Sequence, residues 1–204
     1  LHKTLPSTHT TPDAIRINEL LNKMVENGCT HVFMEVSSHA LDQRRVSGIS
    51  FDIGVFTNIS RDHMDYHPSL DHYIGSKKKL FESLKKDSFA IINKDDSYGF
   101  EMGREIVAKS LFYGINESGN FKGKVIENNI SGLSIEIDGY EMTSRLIGEF
   151  NAYNLLAVYA VTRTLGQDPL TILTILSNLK APEGRFEYVI SPSKITAIID
   201  YAHT

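Results

Sequence analysis

Acidic, histidine and arginine residues stand directly behind three apolar runs of this sequence. Glu35 lies near the end of the run at 30–36, and further polar residues follow the runs at 51–56 and 195–199. Those behind the second and third runs are Asn58, Arg61, Asp62, His63, Asp65 and His67, and Asp200 and His203. In an open α/β sheet, ligands bind beyond the carboxyl ends of the strands. A carboxylate at such an end can hold Mg²⁺ directly or through water, as in a Walker B motif. The alternative is that these polar residues are simply solvated at the ends of the strands and have no functional role.

Three histidines, His63, His67 and His72, lie close enough along the chain to suggest a zinc site. Pro68 breaks any continuous helix that could present them on one face, and no cysteine is nearby. The pattern therefore favours surface or supporting roles for His67 and His72. A metal-dependent hydrolase remains an alternative, and its candidate residues are Asp62, His63, Asp65 and His67.

Lys77 gives the most informative local signal. On a helical wheel it falls inside the apolar stripe formed by Leu70, Tyr73, Ile74, Leu80, Phe81 and Leu84. Lys78 lies at the edge of that stripe and Lys79 on the opposite face, so the three lysines are not equivalent. A lysine aimed at the interior needs a charged partner, snorkelling or a shifted pKa. A partly neutral amine could also react with CO₂ to give a carbamate, a carboxylate-like ligand for Mg²⁺.

Two further features could bind phosphate or a nucleotide. Arg185 stands just before a predicted strand, behind the breakers Pro182 and Gly184, and arginine suits bidentate phosphate binding. Asn151 stands at a predicted helix start, where asparagine is also a common cap. Neither feature is specific by itself.

The elements that must position these residues alternate between helices and buried strands, which predicts an α/β fold with a mostly parallel sheet flanked by helices. Predicted helices cover 12–27 (Thr11 as N-cap), 69–84, 97–108, 151–165 and 169–178. Predicted strands cover 30–36, 51–56, 89–93, 111–114, 186–190 and 195–199. Between 121 and 147 short alternating runs and an Asp138-Gly139 turn signal predict a small antiparallel β patch.

Composition narrows the class of protein. The 204 residues carry a formal charge of −4 with 41% hydrophobic residues, which predicts a globular core and argues against a nucleic-acid partner. The longest purely apolar run, at 155–161, is far too short for a membrane span. One cysteine cannot form an internal disulfide, and the start of the sequence resembles no signal peptide, so we expect a cytoplasmic protein.

Several linked motifs together resemble the central domain of the Mur ligases, a P-loop-NTPase-like fold, over essentially the whole sequence. They are Thr10-Thr11, 34–41 (MEVSSHAL), 56–67 (FTNISRDHMDYH), 148–151 (GEFN), 183–187 (EGRFE) and 200–204 (DYAHT). The resemblance implies an ATP-dependent amide-bond ligase of peptidoglycan synthesis, acting through an acyl phosphate. The strings are most similar to the branch that adds the third amino acid, meso-diaminopimelate or L-lysine, to UDP-N-acetylmuramoyl-L-alanyl-D-glutamate.

The resemblance also implies roles for individual residues. Glu35 would hold one Mg²⁺, and His63 with carbamylated Lys77 would hold the other, which makes these three the catalytic candidates. The muramoyl-dipeptide would contact Thr10, Thr11, Ser37, Gln43 and Arg45, with His9 at a position where the family often has Asn. ATP would contact Asn151, Arg185, Asp200 and His203.

The family's phosphate loop, Gly-x-x-x-x-Gly-Lys-[Ser/Thr], belongs upstream of Thr10 and is not found in this sequence. We therefore expect residues 1–204 to be a central ATP-binding domain truncated at both ends, inactive without the N- and C-terminal domains of its own chain. Three alternatives to the diaminopimelate-adding ligase stay open besides the hydrolase. They are an L-lysine-adding homologue, a folylpolyglutamate-synthase-like ligase and a binding module without catalytic activity.

Overall fold

The computed structural model describes residues 5–7, 10–117, 119–191 and 195–201, and its largest feature is a six-stranded sheet in the order β1-β2-β3-β4-β5-β6. The strands are β1 (Ile53–Phe56), β2 (Phe89–Asn93), β3 (Lys109–Gly114), β4 (Phe121–Asn129), β5 (Gly132–Ile137) and β6 (Tyr140–Ser144). Strands β1 to β4 pair in parallel, and β4 to β6 pair antiparallel. The predicted parallel sheet and antiparallel patch are thus confirmed, as two halves of one sheet.

Six helices and a second sheet complete the described elements. The helices are α1 (Ala14–Glu26), α2 (Ser38–Asp42), α3 (Leu70–Glu82), α4 (Gly99–Gly103), α5 (Glu149–Thr164) and α6 (Pro169–Ser177). The second sheet is an antiparallel pair, β7 (Glu187–Ile190) and β8 (Thr196–Ile199). Within the described residues, no helix is both long and apolar enough to cross a membrane.

Strand β2 shows why helices cover both faces of the sheet. Successive side chains of a strand point to opposite faces. Ile91 packs into the cluster that contains α5 and α6, while Ala90 and Ile92 pack into the cluster that contains Phe81 of α3. All three strand residues are fully buried, as an apolar strand in a covered parallel sheet must be.

The predicted hairpin turn at Asp138-Gly139 is confirmed between β5 and β6. Both residues have positive φ, 48° and 86°, which is the backbone that a two-residue hairpin turn requires. The Asp138 carboxylate also accepts the backbone N–H of Lys122 at 2.9 Å, and so ties the turn to the first residues of β4.

The predicted strand at 30–36 is wrong. A strand needs a neighbour that supplies hydrogen-bond partners, and no strand pairs with this segment in the described part of the chain. Val32 and Phe33 are 45% and 76% exposed, so the apolar run is not a buried element here. Glu35 therefore lies in the connection between α1 and α2 rather than at the end of a sheet strand.

Two helix boundaries also differ from prediction. Asp13, not Thr11, caps α1, because its carboxylate accepts the backbone N–H of Arg16 at 2.9 Å while Thr11 is buried elsewhere. Helix α4 is confined to Gly99–Gly103, shorter than predicted. Ser37, expected in a turn, caps the short helix α2 instead.

Candidate functional site

Buried Thr11 joins the segment before α1 to the segment before α2. Its hydroxyl donates to the backbone carbonyl of Glu35 at 2.9 Å and accepts the backbone N–H of Ser37 at 3.1 Å. Ser37 in turn accepts the backbone N–H of Ala40 at 3.2 Å, which fixes its own side chain at the start of α2. The structure thus brings together Thr11, Glu35 and Ser37, three residues that the sequence assigned to one site.

Gln43 and Arg45 extend this group from the other end of α2. Arg45 donates from Nε to Gln43 Oε1 at 2.9 Å and from Nη1 to the backbone carbonyl of Thr11 at 2.9 Å. Four of the six residues expected to contact the muramoyl-dipeptide are therefore linked by hydrogen bonds. Thr10 is exposed beside Thr11, and His9 lies outside the described residues.

Lys77 is half-buried on α3, and its Nζ lies 5.1 Å from the centre of the Tyr73 ring. Burial lowers the pKa of the Lys77 amine, while the nearby carboxylates of Glu35 and Asp62 oppose that effect. Its neighbours have ordinary ion pairs: Lys78 with Glu101 at 2.6 Å and Lys79 with Asp42 at 2.8 Å. The predicted difference between the three lysines is confirmed.

His63 and Lys77 both approach the Tyr73 ring, His63 edge-on with 6.2 Å between ring centres and Lys77 with its Nζ 5.1 Å from the ring centre. The backbone of His63 has φ +57°, and its N–H donates to the Asp62 carboxylate at 2.7 Å. Its Nε2 lies 3.5 Å from the other Asp62 oxygen. The Asp62 charge also acts on the Lys77 amine, so the turn at 62–63 and Lys77 lie in the same region of the structure.

His67 is buried, so of the two roles predicted for it, surface or supporting, only the supporting role remains. It is 1% exposed, and its two ring nitrogens lie 2.9 Å from Ser38 Oγ and 2.9 Å from His72 Nδ1. Burial lowers the pKa of His67, and nearby His72 and His39 lower it further. Within the described residues, no three His, Cys, Asp or Glu side chains converge to hold a metal.

The candidates for nucleotide binding lie at the start of α5 and on the second sheet. Asn151 is 9% exposed and donates to the backbone carbonyl of Ile147 at 2.8 Å. The adjacent Phe150 packs edge-on against Phe186, which brings exposed Arg185 towards the same helix end. Asp200 accepts the backbone N–H of Phe186 at 2.9 Å. His203 lies outside the described residues.

Sequence reasoning missed Asp95, which organises the carboxyl ends of β2 and β3. Its carboxylate accepts the backbone N–H groups of Ile115, Asn116 and Glu117 at 2.7–2.8 Å and the Tyr153 hydroxyl at 2.9 Å. Burial alone would raise the pKa of Asp95, but these hydrogen bonds hold it below its ordinary value. The burial of Tyr153 and its bond to Asp95 raise the Tyr153 pKa to about 12. The only sequence signal for this role was the position of Asp95 just after the predicted strand at 89–93.

The geometry therefore has three parts: linked polar groups around α2, an amine and two carboxylates near α3, and Asn151, Arg185 and Asp200 around the start of α5. Residues 1–162 match the family model of the Mur ligase middle domain. The chain belongs to the Mur ligase family.

Named relatives of this Mur ligase chain agree with one another. It is 52% identical over 202 residues to the UDP-N-acetylmuramoyl-L-alanyl-D-glutamate–2,6-diaminopimelate ligase of Cytophaga hutchinsonii, which covers 99% of this chain and 42% of the relative. It is 48% identical over 202 residues to the ligase of the same name from Parabacteroides distasonis, with the same two coverages. A solved structure of a ligase of that name superposes with a TM-score of 0.82 at 29% identity, over 96% of this chain and 42% of that one.

The Mur ligase chain spans less than half the length of these relatives. The family and the fold are established by the comparisons.

Proposed function

We propose that this Mur ligase domain is the central part of an ATP-dependent ligase that joins meso-diaminopimelate to UDP-N-acetylmuramoyl-L-alanyl-D-glutamate in peptidoglycan synthesis. Relatives named for that reaction, at 48% and 52% identity, support the choice of amino acid. The observation that carries the proposal is the hydrogen-bonded group of Thr11, Ser37, Gln43 and Arg45 beside Glu35. Arg45 is the cationic member of this group, and a guanidinium suits an anionic substrate.

The proposed reaction has two steps. A carboxylate oxygen of the glutamyl residue attacks the γ-phosphorus of ATP, the bond to ADP breaks, and an acyl phosphate forms. The amine of the incoming amino acid then attacks the acyl carbon, loses a proton, and displaces inorganic phosphate. Because phosphoryl transfer depends on positioning and charge neutralisation, the protein's task is to hold both substrates in line. We assign the muramoyl-dipeptide to the α2 group with Thr10 and His9, and ATP to Asn151, Arg185, Asp200 and His203.

The residues near α3 fit divalent metal ions once Lys77 reacts with CO₂. The Lys77 amine experiences the charges of both Glu35 and Asp62. Carbamylation converts the ammonium (+1) into a carbamate (−1) and releases two protons, one as the ammonium becomes a neutral amine and one as the N–C bond to CO₂ forms. The set of donors then includes the anionic oxygens of the carbamate and of Glu35, which are the ligands that Mg²⁺ prefers, beside the His63 imidazole. We propose that Glu35 holds one Mg²⁺ and that His63 and carbamylated Lys77 hold the second. Bound there, Mg²⁺ would neutralise charge on the transferring phosphoryl group.

Residues 1–204 are proposed to be a central domain that works with the N- and C-terminal domains of its own chain and is inactive alone. A reaction that consumes ATP also favours the cytoplasm. The 42% coverage of the named relatives supports the first of these two statements.

The test is phosphate release by the complete reading frame that contains this chain, supplied with ATP, Mg²⁺ and UDP-N-acetylmuramoyl-L-alanyl-D-glutamate. Diaminopimelate and L-lysine are offered in separate reactions, and the 204-residue chain is the control. We expect release that depends on diaminopimelate and on the full reading frame. Phosphate release with L-lysine but not with diaminopimelate would mean that L-lysine is the amino acid that is added. Release with neither amine would overturn the proposed reaction.

A further inference from the structure

Three side chains outside the predicted site form a connected group that we term the Asp42 clasp: Asp42, Tyr66 and Lys79. Tyr66 donates its hydroxyl to one Asp42 oxygen at 2.9 Å, and Lys79 donates from Nζ to the other oxygen at 2.8 Å. The Lys79 bond first, and then the Tyr66 bond, hold the pKa of Asp42 below its ordinary value. The carboxylate is therefore ionised, and it fixes the direction in which the Tyr66 hydroxyl points.

The clasp determines the orientation of the Gln43 amide. Because the Tyr66 hydroxyl proton is committed to Asp42, its oxygen can accept, and Gln43 Nε2 donates to it at 3.2 Å. The opposite end of the amide, Oε1, must then face Arg45 as an acceptor. The Tyr66 ring is itself held against His39, with 4.0 Å between ring centres.

Arg45 is consequently held with a defined part of its guanidinium free. Its Nε and Nη2 donate to Gln43, and its Nη1 donates to the Thr11 carbonyl. A guanidinium has five N–H groups, so one on each terminal nitrogen remains without an acceptor in the described part of the chain. Two such N–H groups match an anionic oxygen pair, such as a carboxylate.

We propose that Asp42, Tyr66 and Lys79 are positioning residues that hold Gln43 and Arg45 in the orientation that binds an anionic group of the UDP-N-acetylmuramoyl-dipeptide. The inference rests on the proposed function. None of the three clasp residues needs to touch the substrate, because each acts through the Gln43 amide. Without the Tyr66 hydroxyl, the amide can rotate and present its own N–H groups to Arg45.

The test compares Tyr66→Phe and Lys79→Met in the complete reading frame, with Tyr140→Phe and Lys78→Met as matched controls. Tyr140 is exposed at a hairpin of the antiparallel half, and Lys78 pairs with Glu101 rather than with Asp42. We expect Tyr66→Phe to raise Kd and KM for UDP-N-acetylmuramoyl-L-alanyl-D-glutamate about tenfold, since it disrupts bonds to a charged group. Lys79→Met should act in the same direction, while KM for ATP and kcat stay within about twofold in both variants.

A double-mutant cycle separates positioning from a general loss of structure. If Tyr66 acts through Gln43, Tyr66→Phe should add almost nothing to the effect of Gln43→Ala. Full additivity, or unchanged dipeptide Kd in both clasp variants while the wild type binds, would overturn the positioning role alone. A wild-type protein that does not bind the dipeptide would overturn the proposed substrate, and the clasp assignment with it.

Discussion

Replacing Asp95 by asparagine should cost this chain about 2 kcal/mol of unfolding free energy. One carboxylate oxygen accepts Ile115, Asn116 and Tyr153, and the other accepts Glu117. The asparagine amide keeps the most bonds when its oxygen takes the place of the carboxylate oxygen that accepts Ile115, Asn116 and Tyr153. Its NH₂ group then faces the Glu117 N–H, and the bond to Glu117 is lost. The remaining three become neutral bonds, which are about half as strong as charge-assisted ones.

The magnitude follows from these changes. A hydrogen bond to a charged group contributes about 1.5–3 kcal/mol and a neutral one about 0.5–1.5 kcal/mol. One lost charge-assisted bond and three bonds halved in strength together amount to about 4–7 kcal/mol. The lower cost of burying a neutral amide rather than a carboxylate, several kcal/mol, offsets most of this and leaves about 2 kcal/mol. At a urea dependence of about 2 kcal/mol per molar, a 2 kcal/mol loss moves the unfolding midpoint down by about 1 M.

The assay is urea unfolding of the 204-residue chain at several pH values, with exposed Asp87→Asn as the control. Because the folded-state pKa of Asp95 lies below its ordinary value of 3.8, the unfolded state binds the proton more readily. The stabilisation is therefore complete above the unfolded pKa and is lost as pH falls through the folded pKa. Equal midpoints for Asp95→Asn and wild type at pH 7, or a difference that persists undiminished at acid pH, would refute this reasoning.

Three further changes test other parts of the structure. Lys77→Arg keeps a positive charge but cannot form the carbamate. Phosphate release by the full reading frame should therefore fall about hundredfold or more, while the urea unfolding midpoint changes little. Turnover at the wild-type rate would exclude a metal-binding carbamate at Lys77. Leu156→Ala removes a fully buried side chain and should cost about 2–5 kcal/mol in urea unfolding, against almost nothing for exposed Leu170→Ala. Gly99→Ala would press a methyl against the Asn93 carbonyl oxygen, closer than van der Waals contact permits, so a loss of about 1–3 kcal/mol is expected. An unchanged unfolding midpoint would contradict that packing.

Local patterns predicted those features that depend on a single element. The helical wheel placed Lys77 in the stripe of Tyr73 and Phe81, and both of those residues are buried. The Asp138-Gly139 dipeptide marked a hairpin because it supplies the positive φ that the turn needs. Such features are encoded within a few residues of sequence, and helix or turn geometry alone converts them into structure.

Features that depend on a distant partner were not predictable in this way. An apolar run at 30–36 resembles a strand, but no pattern within it states whether a neighbouring strand is present. The bonds from Tyr66 to Asp42 and from Tyr153 to Asp95 join residues far apart in the chain. The family resemblance supplied candidate roles for Gln43 and Arg45, yet not the groups that orient them.

The two halves of the main sheet differ in how far apart their paired residues are along the chain, and this has a consequence for folding. Tyr140 pairs with Ile137 across a tight turn, whereas Phe89 pairs with Ile53 only after α3 has been crossed. Closing the shorter loop costs less chain entropy, so we expect the antiparallel half to form early and the parallel half late. Lys77 lies in the long crossover. The candidate metal site is thus assembled by the slow half of the sheet, and a partly folded chain with intact hairpins would still lack it.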